Sequence, residues 1–114
     1  MITLEKLKEF GVDTKEGLTR CMNNEGFYFK MIQMGLSDAH FESLAESLQS
    51  NNLEDAFEAA HALKGVIGNL ALSPIYEPLA SMTEMLRAKE DADYVSIYKP
   101  IKETRDKLLE MCKS

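Results

Sequence analysis

The residues best suited to chemistry lie in a short stretch around His61. In a helix, which advances about 100° per residue, the apolar side chains of this stretch fall on the side opposite His61. They are Ala56, Ala59, Ala60, Leu63, Val66, Ile67 and Leu70. The spacing therefore predicts an exposed imidazole, whose ring nitrogen could act as a nucleophile. Lys64 follows one turn later, and its ammonium suits a phosphoryl group on the ring, whose oxygens accept charge-assisted hydrogen bonds.

Two glycines, Gly65 and Gly68, follow His61 on the same helix face. Each glycine in a helix interior costs about 1 kcal/mol relative to alanine, so a compensating role is expected. One interpretation is that both leave space for a partner to approach the imidazole, and the other is that both allow close contact with a neighbouring helix. Phe57 is either an edge residue of the core or, if exposed, a docking contact. Glu58 shares this face and is a second candidate docking residue.

The elements that must position this stretch are helical, because 3.6-residue periodicity dominates and no alternating β-branched runs occur. A short helix is predicted over residues 3–10, with Thr3 as N-cap and Gly11 as the stop. Another is predicted to start near Asp13 and to end by Asn23. The apolar segment 25–35 is expected to lie against the rest of the protein.

Four longer amphipathic helices follow. The first starts at Ser37 or Asp38 and ends near residue 50, the second covers residues 53–71, the third starts at the Ser73-Pro74 pair, and the last follows the acidic turn at 90–93. Short connections predict an all-α fold, an antiparallel four-helix bundle with the short N-terminal helices packed across one end. We expect one domain over residues 1–114, with N-terminal helices in about 1–36 and the bundle in about 37–113.

Length, net charge and hydropathy exclude some classes of partner for this chain. The 114 residues fit one domain, and a net charge of -6 without any Lys/Arg cluster argues against nucleic acid. The N-terminus lacks the apolar core of a secretory signal and no run approaches a membrane span, so we expect a cytoplasmic chain without membrane attachment.

The cysteine and histidine spacing does not favour a metal site. Cys21 and Cys112 lack C-x-x-C spacing, so buried thiols are the better interpretation. A helical bundle that binds metal or haem would have to use His40 and His61, which fall on different helices and outside any Glu-x-x-His motif. We therefore expect no metal, and we regard His40 as a partly buried structural residue.

The segment AHALKGVIGNLAL, residues 60–72, closely resembles the signature of the histidine phosphotransfer (HPt) family. That signature consists of a histidine, a leucine two residues later, and then Lys-Gly. His61, Leu63, Lys64 and Gly65 match it directly. The likeness extends loosely from GVDTKEGL near the start to the helix before the motif. It implies that His61 is phosphorylated, that Lys64 steadies the phosphoryl oxygens and that Gly65 leaves room for a receiver domain.

Many HPt members also place a polar side chain, often Gln, on the next helix to hold the histidine ring. Counting forward along the chain puts Thr83 nearest that position. Because threonine replaces the usual residue, the resemblance implies only that Thr83 lies beside the ring, as a candidate contact for the docked partner.

The resemblance implies a phosphocarrier that accepts and donates a phosphoryl group on His61 in a two-component phosphorelay. The partner would be the receiver domain of a response regulator or hybrid histidine kinase, which would supply Mg²⁺ and an aspartate. No G-x-x-x-x-G-K-[ST] motif occurs, so no ATP site, cofactor or enzyme activity is expected, and a monomer is expected.

Two alternatives stay open, a phosphate-independent docking module and the phospho-accepting domain of a chemotaxis-type kinase. A chain ending at Ser114 would disfavour the second alternative.

Overall fold

The regular secondary structure of the chain is entirely helical over residues 2–113, which are the residues that the computed structural model describes. Seven helices follow one another: α1 (Leu4–Phe10), α2 (Thr14–Arg20), α3 (Glu25–Leu36), α4 (His40–Gln49), α5 (Leu53–Asn69), α6 (Ser73–Arg87) and α7 (Tyr94–Lys113). The predicted all-α class is confirmed. None of these helices is both long enough and apolar enough to cross a bilayer.

Local capping explains where the N-terminal helices begin and end. The Thr3 hydroxyl accepts a hydrogen bond from the backbone N–H of Lys6, and Gly11 ends α1 with a left-handed φ of 102°. Asp13 caps α2 in the same way as Thr3 caps α1. α2 ends at Arg20, within the predicted limit, and the left-handed φ of 57° at both Met22 and Asn23 prevents the helix from continuing.

The four longer helices pack in a closed cycle of contacts. α5 lies between α4 and α6, and α7 contacts both α6 and α4. Each helix contributes apolar side chains to one buried core, among them Leu44, Leu63, Leu79 and Ile101. α4 starts slightly later than predicted, at His40, where Asp38 accepts a hydrogen bond from the His40 backbone N–H. The helices before and after the one that carries His61, α4 and α6, thus have boundaries close to those predicted from the sequence.

α3 joins the N-terminal helices to this core. Its residues Tyr28, Ile32 and Leu36 are fully buried, and the helix contacts α2, α5 and α7. The Tyr28 hydroxyl donates a 2.8 Å hydrogen bond to the Leu70 carbonyl just beyond α5. Burial of the hydroxyl, followed by the charges of Cys21 and Asp13, raises the pKa of Tyr28 to about 12.

We expect Tyr28→Phe to lower the free energy of unfolding by about 1 kcal/mol, because the Leu70 carbonyl loses its buried donor. The folded-state pKa lies above the ordinary tyrosine value of 10.0, so the stability that this hydroxyl contributes is present below pH 10 and is lost as pH rises towards 12. Urea unfolding at pH 7 and across pH 9–12 measures both effects. Tyr76→Phe is the control, since no hydrogen bond of the Tyr76 hydroxyl occurs within residues 2–113. Equal stability of Tyr28→Phe and wild type would contradict the prediction.

Candidate functional site

Helix α5 fixes the direction of the His61 side chain. Its N-terminus is capped by Asn52, whose side-chain oxygen accepts from the Asp55 backbone N–H at 3.1 Å and whose amide donates to the Asp55 carboxylate at 2.8 Å. Five side chains of α5 are buried: Ala56, Ala59, Ala60, Leu63 and Ile67. Because this stripe faces the core, α5 cannot rotate about its axis without exposing it, and His61 lies exposed on the opposite side.

An aromatic side chain stacks on the imidazole, and a cation lies over that aromatic ring. The rings of Phe57 and His61 stack with centroids 5.7 Å apart and an interplanar angle of 21°. The guanidinium of Arg87 on α6 lies 4.9 Å from the centre of the Phe57 ring, within cation–π distance. Phe57 is half-buried and packs against the core, as an edge residue of the core would, while its role as a docking contact stays a prediction. Arg87 was not predicted from the sequence, because its position over Phe57 depends on how α6 packs against α5.

Lys64 is less exposed than a purely solvated lysine. Its side chain is 26% exposed, and its Nζ lies 3.8 Å from a carboxylate oxygen of Glu84 on α6. The ammonium thus lies on the His61 face of α5, one turn after the histidine, with a counter-charge supplied by the next helix. Glu84 is a second residue that the sequence analysis did not single out.

The two glycines differ in what surrounds them. A Cβ added at Gly65 would meet no heavy atom of the described residues within 4 Å, so the space beside His61 is open there. A Cβ added at Gly68 would lie 2.9 Å from the Tyr76 ring, which is too close. The expectation that both glycines leave space for a partner is therefore wrong for Gly68. Its missing side chain is explained by close packing of Tyr76 from α6, whereas Gly65 has no such packing reason.

His61 lies in a groove between α5 and α2. Lys64, Gly65 and Gly68 line it from α5, and the remaining lining residues are Asp13, Glu16, Arg20, Asn69, Ala71, Ser73 and Tyr76. The Arg20 guanidinium connects the two helices, with Nε 2.9 Å from the Glu16 carboxylate and Nη1 3.2 Å from the Asn69 side-chain oxygen. Helix α2 therefore contributes charged side chains to the His61 face, which the sequence analysis did not foresee.

Two other candidate residues lie elsewhere. Thr83 is fully buried and its hydroxyl donates a 2.7 Å hydrogen bond to the Leu79 carbonyl one turn earlier. The prediction that Thr83 contacts a docked partner is wrong, because neither its surface nor its hydroxyl is available. Glu58 is exposed, as a docking residue must be, but it lines a separate groove between α4 and α5 together with His40.

His40 and the cysteines form no metal centre in the part of the chain that the structure describes. There, no group of three or more His, Cys, Asp or Glu side chains is placed to hold a metal ion. His40 is exposed rather than partly buried, contrary to expectation, and its Nδ1 lies 2.7 Å from the Asp38 carboxylate. Cys21 is buried, whereas Cys112 is only half-buried, and burial raises the pKa of the Cys112 thiol.

Comparison with known proteins identifies the family of the chain. The family model described as "Hpt domain" matches residues 35–111, a range that begins near the end of α3 and includes α4, α5, α6 and most of α7. Searches of curated proteins and of solved structures found no match. The family match covers more than half of the chain and includes His61, Lys64 and Gly65. The chain therefore belongs to the histidine phosphotransfer (Hpt) domain family.

Proposed function

We propose that this chain accepts a phosphoryl group on His61 and donates it to the aspartate of a receiver domain, in a response regulator or a hybrid histidine kinase. Family membership supports the general role, because Hpt domains are phosphocarriers in phosphorelays. The observation that carries the assignment to His61 is its exposed position on α5, with the Lys64 ammonium and the open space at Gly65 on the same face.

On this chain the chemistry uses only groups that lie on this face, and the partner brings the acyl phosphate. The lone pair of an unprotonated His61 ring nitrogen forms a bond to phosphorus while the P–O bond to the receiver aspartate breaks, and the carboxylate leaves with the electron pair. Lys64 stabilises the phosphoryl oxygens through charge-assisted hydrogen bonds. The reverse step returns the phosphoryl group to a carboxylate. The chain needs no ATP site for either direction, because the phosphoryl group arrives from the receiver.

The arrangement of α4, α5, α6 and α7 supports a more specific fold assignment. Their closed cycle of contacts is the one that an antiparallel four-helix bundle requires, and we infer that they form this bundle. In it, His61 lies near the middle of the second long helix and is accessible from the side. The monomeric state, the cytoplasmic location and the supply of Mg²⁺ by the receiver stay predictions from the sequence.

Incubation with a phosphorylated receiver domain from the same genome tests the proposal. We expect ³²P to move from the receiver to this chain, and the label to be lost in acid but kept in base, as phosphohistidine requires. A panel of receivers from that genome makes the test independent of choosing one partner. Failure of the wild-type chain to gain phosphate from any of them would contradict the proposed function.

Lys64→Ala is expected to slow transfer to His61 by about three- to ten-fold, because a partly exposed cation contributes less than a buried charge-assisted hydrogen bond. The fold should survive, with a change of less than about 1 kcal/mol in the free energy of unfolding. Rapid-quench kinetics with a phosphorylated receiver measure the rate. Lys102→Ala is the matched control, since Lys102 is also a lysine paired with one carboxylate but lies on α7. Equal rates for all three proteins would remove Lys64 from the site.

A further inference from the structure

One carboxylate pairs with two cations, Lys64 on the His61 face of α5 and Arg87 over the Phe57 ring. Glu84 lies 3.8 Å from Lys64 Nζ through one oxygen and 3.3 Å from Arg87 Nε through the other. Lys64 is one turn from His61 on α5, and Arg87 covers the Phe57 ring that stacks on His61. The same side chain therefore pairs both with Lys64, one turn from His61, and with the cation that lies over Phe57.

The register of α6 against α5 explains why Glu84 occupies this place. Thr83 turns into the core and its hydroxyl is already bonded to the Leu79 carbonyl. The next residue, about 100° further around the helix, is the exposed Glu84, which faces Lys64. Arg87 follows one turn later and lies within ion-pair distance of the same carboxylate. The charged group of α6 that faces Lys64 is thus an anion.

The Glu84 carboxylate competes with a phosphoryl group on His61 for the Lys64 ammonium. In the unphosphorylated chain Glu84 balances the charge of Lys64, and the 3.8 Å separation is longer than that of a tight charge-assisted hydrogen bond. A phosphoryl group on His61 offers Lys64 several strongly accepting oxygens and can draw the ammonium away from Glu84. The carboxylate then loses a counter-ion and repels the new negative charge.

We propose that Glu84 is a positioning residue that lowers the stability of phospho-His61 and thereby favours donation of the phosphoryl group to the receiver. This inference rests on the proposed function of His61. Glu84 touches neither the phosphoryl group nor the partner in this account. It acts through Lys64 and through the local negative charge.

Glu84→Gln keeps the size of the side chain and removes the charge. We expect the equilibrium of phosphoryl transfer with a receiver domain to shift towards this chain by about two- to five-fold, the range typical of exposed ion pairs. The shift should shrink at high salt, because the groups are exposed, with 59% of the Glu84 side chain accessible. It should also be smaller in a Lys64→Gln background, because the two residues act together. Thermal unfolding should be almost unchanged.

Asp106→Asn is the matched control. Asp106 is also an exposed carboxylate paired with two cations, Lys102 at 2.8 Å and Arg105 at 3.2 Å, but it lies on α7. The substitution makes the same change in net charge and should not shift the transfer equilibrium. The role of Glu84 is overturned if Glu84→Gln matches wild type or shifts the equilibrium towards the receiver. It is also overturned if Asp106→Asn gives an equal shift, because net charge would then explain the effect.

Phosphorylation of the wild-type chain separates this test from that of the proposed function. If wild type and Glu84→Gln both take up phosphate from the receiver with equal equilibria, the role of Glu84 fails while that of His61 stands. If wild type takes up no phosphate from any receiver or from phosphoramidate, a small phosphoryl donor, both proposals fail together.

Discussion

Gly65→Gln is expected to stop phosphoryl transfer while the chain stays folded. The space beside Gly65 is open, so the new side chain meets no atom of the described residues within 4 Å of its Cβ. Glutamine is also the better helix former, and the free energy of unfolding should rise by about 0.5–1 kcal/mol. The same side chain projects beside His61 into the groove that a receiver must enter. Because a displacement of about 1 Å can slow a reaction about 100-fold, we expect at least that loss of transfer rate.

The measurement pairs a melting curve with the transfer rate. Gly65→Ala should raise stability similarly and slow transfer less, because a methyl group fills less of the groove. Gly26→Gln is the matched control: Gly26 is an exposed helical glycine in the first turn of α3 and lines neither the His61 groove nor the one at Phe57 and Arg87. Normal transfer by folded Gly65→Gln would show that the partner approaches His61 from another direction.

His61→Gln is expected to abolish phosphorylation and to leave docking intact. Glutamine has no nucleophilic ring nitrogen, and the exposed position makes the change harmless to the core. Binding of a receiver domain, measured by calorimetry or NMR titration, should stay within about a factor of three of wild type, because most of the contact surface is unchanged.

This variant also decides between a phosphocarrier and a phosphate-independent docking module. His40→Gln is the control, since His40 is the other histidine of the chain and lies on α4 beside Asp38. A His61→Gln protein that still gains acid-labile phosphate would contradict the assignment. If wild type binds the receiver but is never phosphorylated, the docking module becomes the correct description.

The sequence predicted well those features that depend on local interactions. Thr3 is predicted as the cap of α1, and the starts of α2 and α5 are predicted near residues 13 and 53. The structure has a capping side chain at each start, Thr3, Asp13 and Asn52, which accepts a hydrogen bond from a backbone N–H three residues on. The exposure of His61 follows from helical periodicity alone. These features need no knowledge of how one helix packs on another.

The features that the sequence analysis missed depend on packing between helices. Thr83 and Glu84 differ by one position, and only the register of α6 against α5 decides which of them faces Lys64. Gly65 and Gly68 lie on one helix face by angle, yet only Tyr76 of α6 distinguishes an open position from a packed one. The contact of Arg20 on α2 with Asn69 also depends on packing between helices, because these two residues lie far apart in the sequence.

Direct location of the phosphate tests the central claim most sharply. The wild-type chain is phosphorylated by a receiver domain and digested at neutral or alkaline pH, and fragmentation mass spectrometry then assigns the modified residue. We predict one phosphate per chain, on His61 and not on His40, with a ³¹P signal typical of a phosphoramidate. A phosphate located on His40 or on a side chain outside α5, or a chain that stays unmodified with every receiver tested, would contradict it.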